Sequence, residues 1–288
     1  MNLSVKSLLL TCLLVSPLIA QDGASSGWLA GVRVHAAATA SWVDNISRTS
    51  HEPTRKEADT YELSVGAAKN RQIARNWLLN LGADAATFHE PDFDLNDFTR
   101  VGGQVGVQRK FGLGPLAPVA KLDAGYSYKG ARLASARGWT AEAGLSVGKR
   151  LTSFLRVAGN ARWLEHFAER ATFDVRQRTL GLDVVWDLSD RWSLAGTVSR
   201  LQGDVVANAA PAIWAQALGG GLGPVVSGYY NTVAWEVTHL YGPGWVSYNV
   251  EADVHPWSLT LGFAATEQLT VELRAASSYV INKIDVRH

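Results

Sequence analysis

Cysteine is all but missing. The 288 residues hold one, Cys12, inside an apolar run near the N-terminus, so the rest of the chain has no thiol, no disulfide and no Cys-based metal site. Long apolar runs are missing too. After residue 20 no stretch approaches the roughly 18 uninterrupted apolar residues that a spanning helix needs. Charge of one sign is not in excess, with 27 Lys and Arg against 26 Asp and Glu. A nucleic-acid binder shows a basic surplus, so nucleic acid is not an expected partner. No Gly-rich phosphate loop and no tight His/Asp metal cluster appears, and neither a cofactor nor a metal is expected. Hydrophobic residues make up 47 %, an ordinary globular value that excludes a disordered chain and an α-helical membrane protein.

The N-terminus has a definite character. Lys6 precedes Leu8-Leu9-Leu10-Thr11-Cys12-Leu13-Leu14-Val15, and Pro17-Leu18-Ile19-Ala20 follows. A basic start, an apolar core too short to span and a small residue at its end describe a cleaved secretory signal. Residues 1–20 are therefore expected to be a signal peptide and 21–288 a single domain. Losing Lys6 leaves basic and acidic residues equal at 26.

Period two dominates what remains. In Gly138–Val147, Trp139, Ala141, Ala143, Leu145 and Val147 fall on one parity, and Thr140, Glu142, Gly144 and Ser146 on the other. The same alternation runs through Tyr61–Ala68, Trp77–Ala85, Val101–Gln108, Lys121–Lys129, Leu180–Trp186, Trp192–Val198, Val233–Val237, Val246–Ala252, Trp257–Phe263 and Leu269–Ala275. Side chains that alternate between two faces are the mark of strands. Short connections such as Asp187–Arg191 alternate with longer polar ones such as Asp44–Asp59 and Gly203–Val226, the pattern of an up-and-down antiparallel meander. Twelve strands are expected, within a range of ten to fourteen, near 28–43, 58–69, 76–88, 97–110, 117–129, 138–149, 154–168, 171–187, 191–202, 228–240, 245–265 and 268–286. His255-Pro256 shifts the alternation in the eleventh, and proline inside a strand suggests a bulge or a split there.

A soluble sandwich also alternates, so the content of each parity has to decide. The polar parity carries Glu62, Asp84, Gln104, Lys121, Asp123, Glu142, Arg156, Arg162, Glu236, Glu251, Asp253, Glu272 and Arg274. Burying these in a dry core would cost on the order of several kcal/mol each unless every one were paired, whereas a wet lumen removes that cost. There are eleven tryptophans, and Trp42, Trp77, Trp139, Trp163, Trp186, Trp192, Trp235 and Trp257 are candidates for an aromatic girdle at the lipid headgroups. In hydrocarbon every backbone N–H and C=O needs a partner, so strands can span only as a closed ring. The expected fold is all-β, a single up-and-down antiparallel transmembrane β-barrel of about twelve strands. A secreted β-sandwich or lipocalin-like binding protein is the soluble alternative.

In pattern, most of the chain resembles the β-barrel porins and other outer-membrane β-barrel proteins of Gram-negative bacteria. Its most suggestive piece is the first hairpin, where Ser41-Trp42-Val43 passes into Asp44-Asn45-Ile46-Ser47-Arg48-Thr49, since such proteins often show an aspartate–asparagine step there. The ending Ile284-Asp285-Val286-Arg287-His288 departs from the aromatic final residue usual in outer-membrane barrels. The resemblance implies a passive channel or structural barrel in the outer membrane rather than an enzyme. The implied partners are outer-membrane lipid, the barrel-assembly machinery and small solutes.

Several residues suggest other chemistry. Glu251, Asp253 and His255 share one strand face, and with Asp92-Phe93-Asp94 they faintly resemble the acidic and aspartate–histidine elements of outer-membrane omptin proteases. Ser258 would join His255 only if a bulge at Pro256 turned the two onto one face. Arg162, Glu165 and His166 could hold an anion. The apolar loop Ala207–Leu218, followed by Gly219-Gly220-Gly221, could narrow a pore, cover the rim or bind a partner.

Overall fold

Alternating segments of 12 to 19 residues have one apolar face each, and in a ring every one of them can present that face outward. The computed structural model describes residues 2–16, 31–49, 52–216 and 233–282. Its strands are β1 (Asn2–Ser16), β2 (Val32–Val43), β3 (Ala58–Ala74), β4 (Trp77–His89), β5 (Phe98–Lys110), β6 (Val119–Ala131), β7 (Gly138–Arg150), β8 (Leu155–Ala168), β9 (Val175–Asp187), β10 (Trp192–Ala209), β11 (Trp235–Val237), β12 (Val246–Ala264) and β13 (Leu269–Asn282). A short helix, α1 (Pro211–Ala215), follows β10. Neighbours from β1 to β10 pair antiparallel in sequence order, β12 pairs with β10 and β13, and β13 pairs with β1. The sheet thus closes on itself as a ring of twelve strands, with the three-residue β11 attached to the top of β12. No helix among the described residues is long and apolar enough to cross a membrane.

One end of the ring has short turns, and three of them share a device. Thr152, Ser189 and Thr266 each accept two backbone N–H groups through the side-chain hydroxyl, from residues two and three positions on, at 3.0–3.3 Å. The backbone closes over the same residues, Leu151–Leu155, Leu188–Trp192 and Ala265–Leu269. A small hydroxyl residue two positions after the strand therefore reverses the chain three times at this end. The opposite end holds the longer connections, four of them with single 3-10 turns (Glu52–Thr54, Asp94–Asn96, Ala134–Ala136 and Ala171–Phe173).

Two segments differ from the sequence expectation. The described residues 233–240 of the expected tenth strand do not form a barrel strand. Among the described ones only Trp235–Val237 pair, and they lie against the outermost part of β12. The twelfth place in the ring belongs to β1, the residues read above as an export signal, which pair with both β13 and β2. β1 is also the strand without alternation, since Leu8–Leu10 and Leu13–Val15 put apolar residues on both of its register rows. The unusual C-terminal residues 284–288 and Gly219–Gly221 lie outside the described residues.

Candidate functional site

The outer face comes first, because it dictates what the inside can be. Leu180 is 65 % exposed, Val101 62 % and Leu122 61 %, and they stand in rows with Leu63, Val105, Leu145, Leu182, Val198, Leu259 and Leu273. A contiguous belt of this kind far exceeds the apolar patches that soluble monomers leave in water. Aromatic rings flank it. At the loop end stand Trp42, Tyr61, Tyr128, Trp139, Phe167 and Tyr279, and at the turn end Trp77, Trp186 and Trp192. Tyr126 and Trp139 stack at 5.0 Å, Trp192 lies 4.6 Å from Phe263, and the Arg109 guanidinium covers Trp77 at 5.1 Å. Of the other expected girdle residues, Trp163 and Trp257 share the outer face, Trp163 level with Arg178 of β9 and Trp257 with Val198 of β10. Trp235 sits on β11 beside Trp214, away from the ring of strands.

The inner face is lined with ion pairs. Glu142 holds Arg162, Asp84 holds Arg100 at 3.4 Å, Lys121 holds Asp123 at 3.3 Å, and Asp183 accepts from Asn160 and Thr197 at 2.7 and 2.8 Å. Arg274 donates to Ser258 at 3.1 Å, while Arg156 and Glu272 occupy inward rows. Glycines make room for these groups. A Cβ on Gly125 would meet Glu142 Oε1 at 2.9 Å, and one on Gly144 would meet Asp123 Oδ2 at 2.8 Å. Each carboxylate lies flat over a glycine of the neighbouring strand, which keeps the hollow open. What remains is a cavity of about 1170 Å³, lined among others by Glu62, Asp84, Arg100, Gln104, Glu142, Arg162, Gln177 and His166. Mutual pairing and water account for how so many charges can share one interior.

Not every expected lumen residue faces it. Pro256 introduces no slip, because β12 pairs with β10 and β13 in one unbroken register. Glu251 and Asp253 therefore share the face of Trp257 and Leu259, outside the ring, and His255 goes with them. Asp253 is gripped there by the Arg200 guanidinium. Glu236 lies on β11 opposite Ser247 rather than on the barrel wall. The same unbroken register leaves Ser258 on the inner face and His255 on the outer, so the serine–histidine pairing weighed above does not form. Arg162 and His166 point inward and Glu165 outward, which separates the expected anion-binding trio.

The loop end of the cavity is capped. Leu240, Tyr241 and Trp245, from the strap that links β11 to β12, pack with Ile46, Phe93, Leu95, Leu133, Phe173 and Ala210 from the other loops. The Tyr241 hydroxyl donates to the Ile46 carbonyl at 2.9 Å, and its ring meets Phe93 edge-on at 5.0 Å. The strap turns through Gly242 and Gly244, at φ 131° and 76°, a region open to glycine and costly for most side chains. Beside this apolar cluster lies a polar knot in the first loop. Asn45 bonds the Thr49 carbonyl and N–H, Ser47 donates to Asn45 and accepts from the Lys56 N–H, and Asn208 of β10 donates to the Ser47 carbonyl. Ser247 in turn donates to Asn208 at 2.6 Å. The aspartate–asparagine step thus pins the first loop over the lumen. On the outer side of the same hairpin Trp214 is buried against Ala207, Ala209, Val246, Tyr248 and Val250, so the apolar loop braces the rim.

Glu90 sits at the edge of the cap and is only 1 % exposed. Asn96 donates to its Oε2 at 3.1 Å, while Oε1 has no hydrogen-bond partner among the described residues. Burial is the main force that pushes its pKa up from 4.5 to about 7. The Asn96 hydrogen bond opposes the rise, and the Asp97 and Asp92 carboxylates add to it. Burial and the nearby Glu90 also push the Tyr241 phenol up. No stretch of sequence marks Glu90: its polar partners Asn96 and Asp97 are close in the chain, but the Tyr241 side chain beside it comes from the distant strap.

A closed ring of antiparallel strands with an apolar belt outside, aromatic rims and a charged hollow is a transmembrane β-barrel. No protein-family model and no curated protein matches the chain. Among solved structures it is similar to the KdgM porin in complex with disordered oligogalacturonate, at 5 % identity over 97 % of this chain and 98 % of that one, TM-score 0.43. It is similar to the NanC porin at 10 % identity over 94 % and 98 %, TM-score 0.36. It is also similar to the toluene transporter TbuX of Ralstonia pickettii at 8 % identity over 97 % and 89 %, TM-score 0.33. These are likenesses of fold.

Proposed function

We propose that the protein is a porin-like passive channel of the outer membrane, closed at its loop end by the 238–245 strap. The observation that carries this reading is the cavity of about 1170 Å³ lined by paired charges of both signs beneath a loop cap. Mixed signs along the wall give the field little net direction, so weak charge selectivity follows. The cap makes the closed state the resting one, and Glu90 sets its pH response. A carboxyl whose folded pKa is raised stabilises the folded arrangement fully below about 4.5 and loses that contribution as pH rises through about 7. The cap should therefore loosen with rising pH.

Planar-bilayer recordings test this. Discrete openings are expected to grow more frequent between pH 6 and 8, with a midpoint near 7, and Glu90→Gln should flatten the dependence. A protein that passes no current at any pH, with or without that substitution, would make the barrel structural and rule out the channel.

A further inference from the structure

The aromatic rim of the loop end is interrupted on one side. From β13 round through β2 to β7 the outer rim carries Tyr279, Trp42, Tyr61, Tyr128 and Trp139. On β8 Glu165 stands between Phe167 and Trp163, and on β9, β10 and β12 the corresponding outward rows carry Arg176, Arg178, Arg200 and Asp253 instead. Two of the three guanidiniums are held at the flanks. Arg176 donates through Nε to Glu165 Oε1 at 3.0 Å, and Arg200 grips Asp253 through both Nε and Nη2. Arg178 lies between them, level with Trp163 on one neighbour and Gln202 on the other. It is exposed, and nothing pairs with it among the described residues. Directly below, Leu180, Leu182 and Val198 continue the apolar belt. Asp204 and Glu251 lie one row above, where Asp204 already accepts the Arg176 backbone N–H.

An unpaired, forked cation on a lipid-facing wall, at the height where aromatic rings mark the headgroups elsewhere on the same barrel, is matched by a phosphate. We infer that Arg178, flanked by Arg176 and Arg200, binds the phosphate of an outer-leaflet lipid whose acyl chains lie on Leu180 and Val198. The site holds one net positive charge across Glu165, Arg176, Arg178, Arg200 and Asp253, which suits an anionic headgroup better than a neutral one. The guanidinium forks of Arg176 and Arg200 are already committed, so Arg178 supplies most of the discrimination. This inference rests on the barrel reading and adds a defined lipid site to it.

Native mass spectrometry of the detergent-folded protein, offered bis-phosphorylated lipid A, its dephosphorylated form or phosphatidylcholine, tests the site. A heat-modifiable shift on a detergent gel is read first, and a protein without that shift defeats the barrel reading itself rather than the site. In the folded protein, one lipid A is expected to bind, with the dephosphorylated form and phosphatidylcholine at least about tenfold weaker. Arg178→Gln should bring lipid A down to their level while keeping the gel shift. Arg71→Gln, an outward cation at the turn end of β3, should leave binding unchanged. Equal binding of lipid A by the wild type and Arg178→Gln would overturn the inference. So would a protein dimer that the Arg178 substitution disperses, because the notch would then be a contact between copies of the chain.

Discussion

Arginine in place of Leu182 is expected to weaken stable insertion sharply, whereas arginine in place of Thr179 is tolerated. Leu182 stands in the middle of the outward row Leu180–Val184 on β9, and Thr179 lines the cavity three residues earlier on the opposite parity. A guanidinium at the hydrocarbon midplane of a barrel costs about 2–4 kcal/mol, while one in a wet lumen is solvated and has Glu142 and Asp183 nearby to meet. Against a stability of about 5–15 kcal/mol, the first penalty removes a large share of the whole. Urea titration of refolding into phosphatidylcholine vesicles, read by the heat-modifiable band, checks the pair. The Leu182→Arg midpoint should fall sharply, with Thr179→Arg close to the wild type. Equal losses would mean that both rows meet the same surroundings.

The second large effect concerns the cap. Tyr241→Ala together with Trp245→Ala removes two of the three strap side chains that pack into the loop cluster, along with the hydrogen bond to Ile46. Truncating a buried aromatic typically costs about 3–5 kcal/mol, and here that loss falls on the strap rather than on the strand ladder. The double variant should keep its gel shift and its spectrum. In bilayer recordings it should pass from rare openings to a mostly open state, with little pH response left. A variant as silent as the wild type would place the barrier deeper, among the Glu142–Arg162 and Asp84–Arg100 pairs.

Much of the wall was legible in the residue pattern. Trp139–Val147, Leu180–Trp186 and Trp192–Val198 alternate because one neighbour is apolar and the other is wet, and that contrast needs no knowledge of distant parts of the chain. The errors arose where this contrast breaks down. At Glu251–His255 a charged row was assigned to the lumen, yet it faces outward above the belt, where headgroups and ion pairing with Arg200 accept charge as readily as a lumen does. Pro256 invited a register shift that the continuous pairing of β12 does not make. Val233 and Trp235 pack beside Trp214, so the period there reflects a brace on the rim instead of a spanning strand. The cap was out of reach. Asn45 drew notice beside Asp44, but its partners Thr49 and Ser47, and Asn208 beyond them, are joined only by the fold.

With its one cysteine, Cys12, replaced by serine, the chain suits single-site labelling. Spin labels placed one at a time along residues 179–186 of β9 in a reconstituted barrel read the surroundings of each face. Oxygen, which concentrates in hydrocarbon, should relax the labels at 180, 182, 184 and 186. A water-soluble nickel chelate should relax those at 179, 181, 183 and 185. Alternation in step with the strand is the result that follows from lipid outside and water within. Nickel access at the even positions, or no alternation at all, would contradict it.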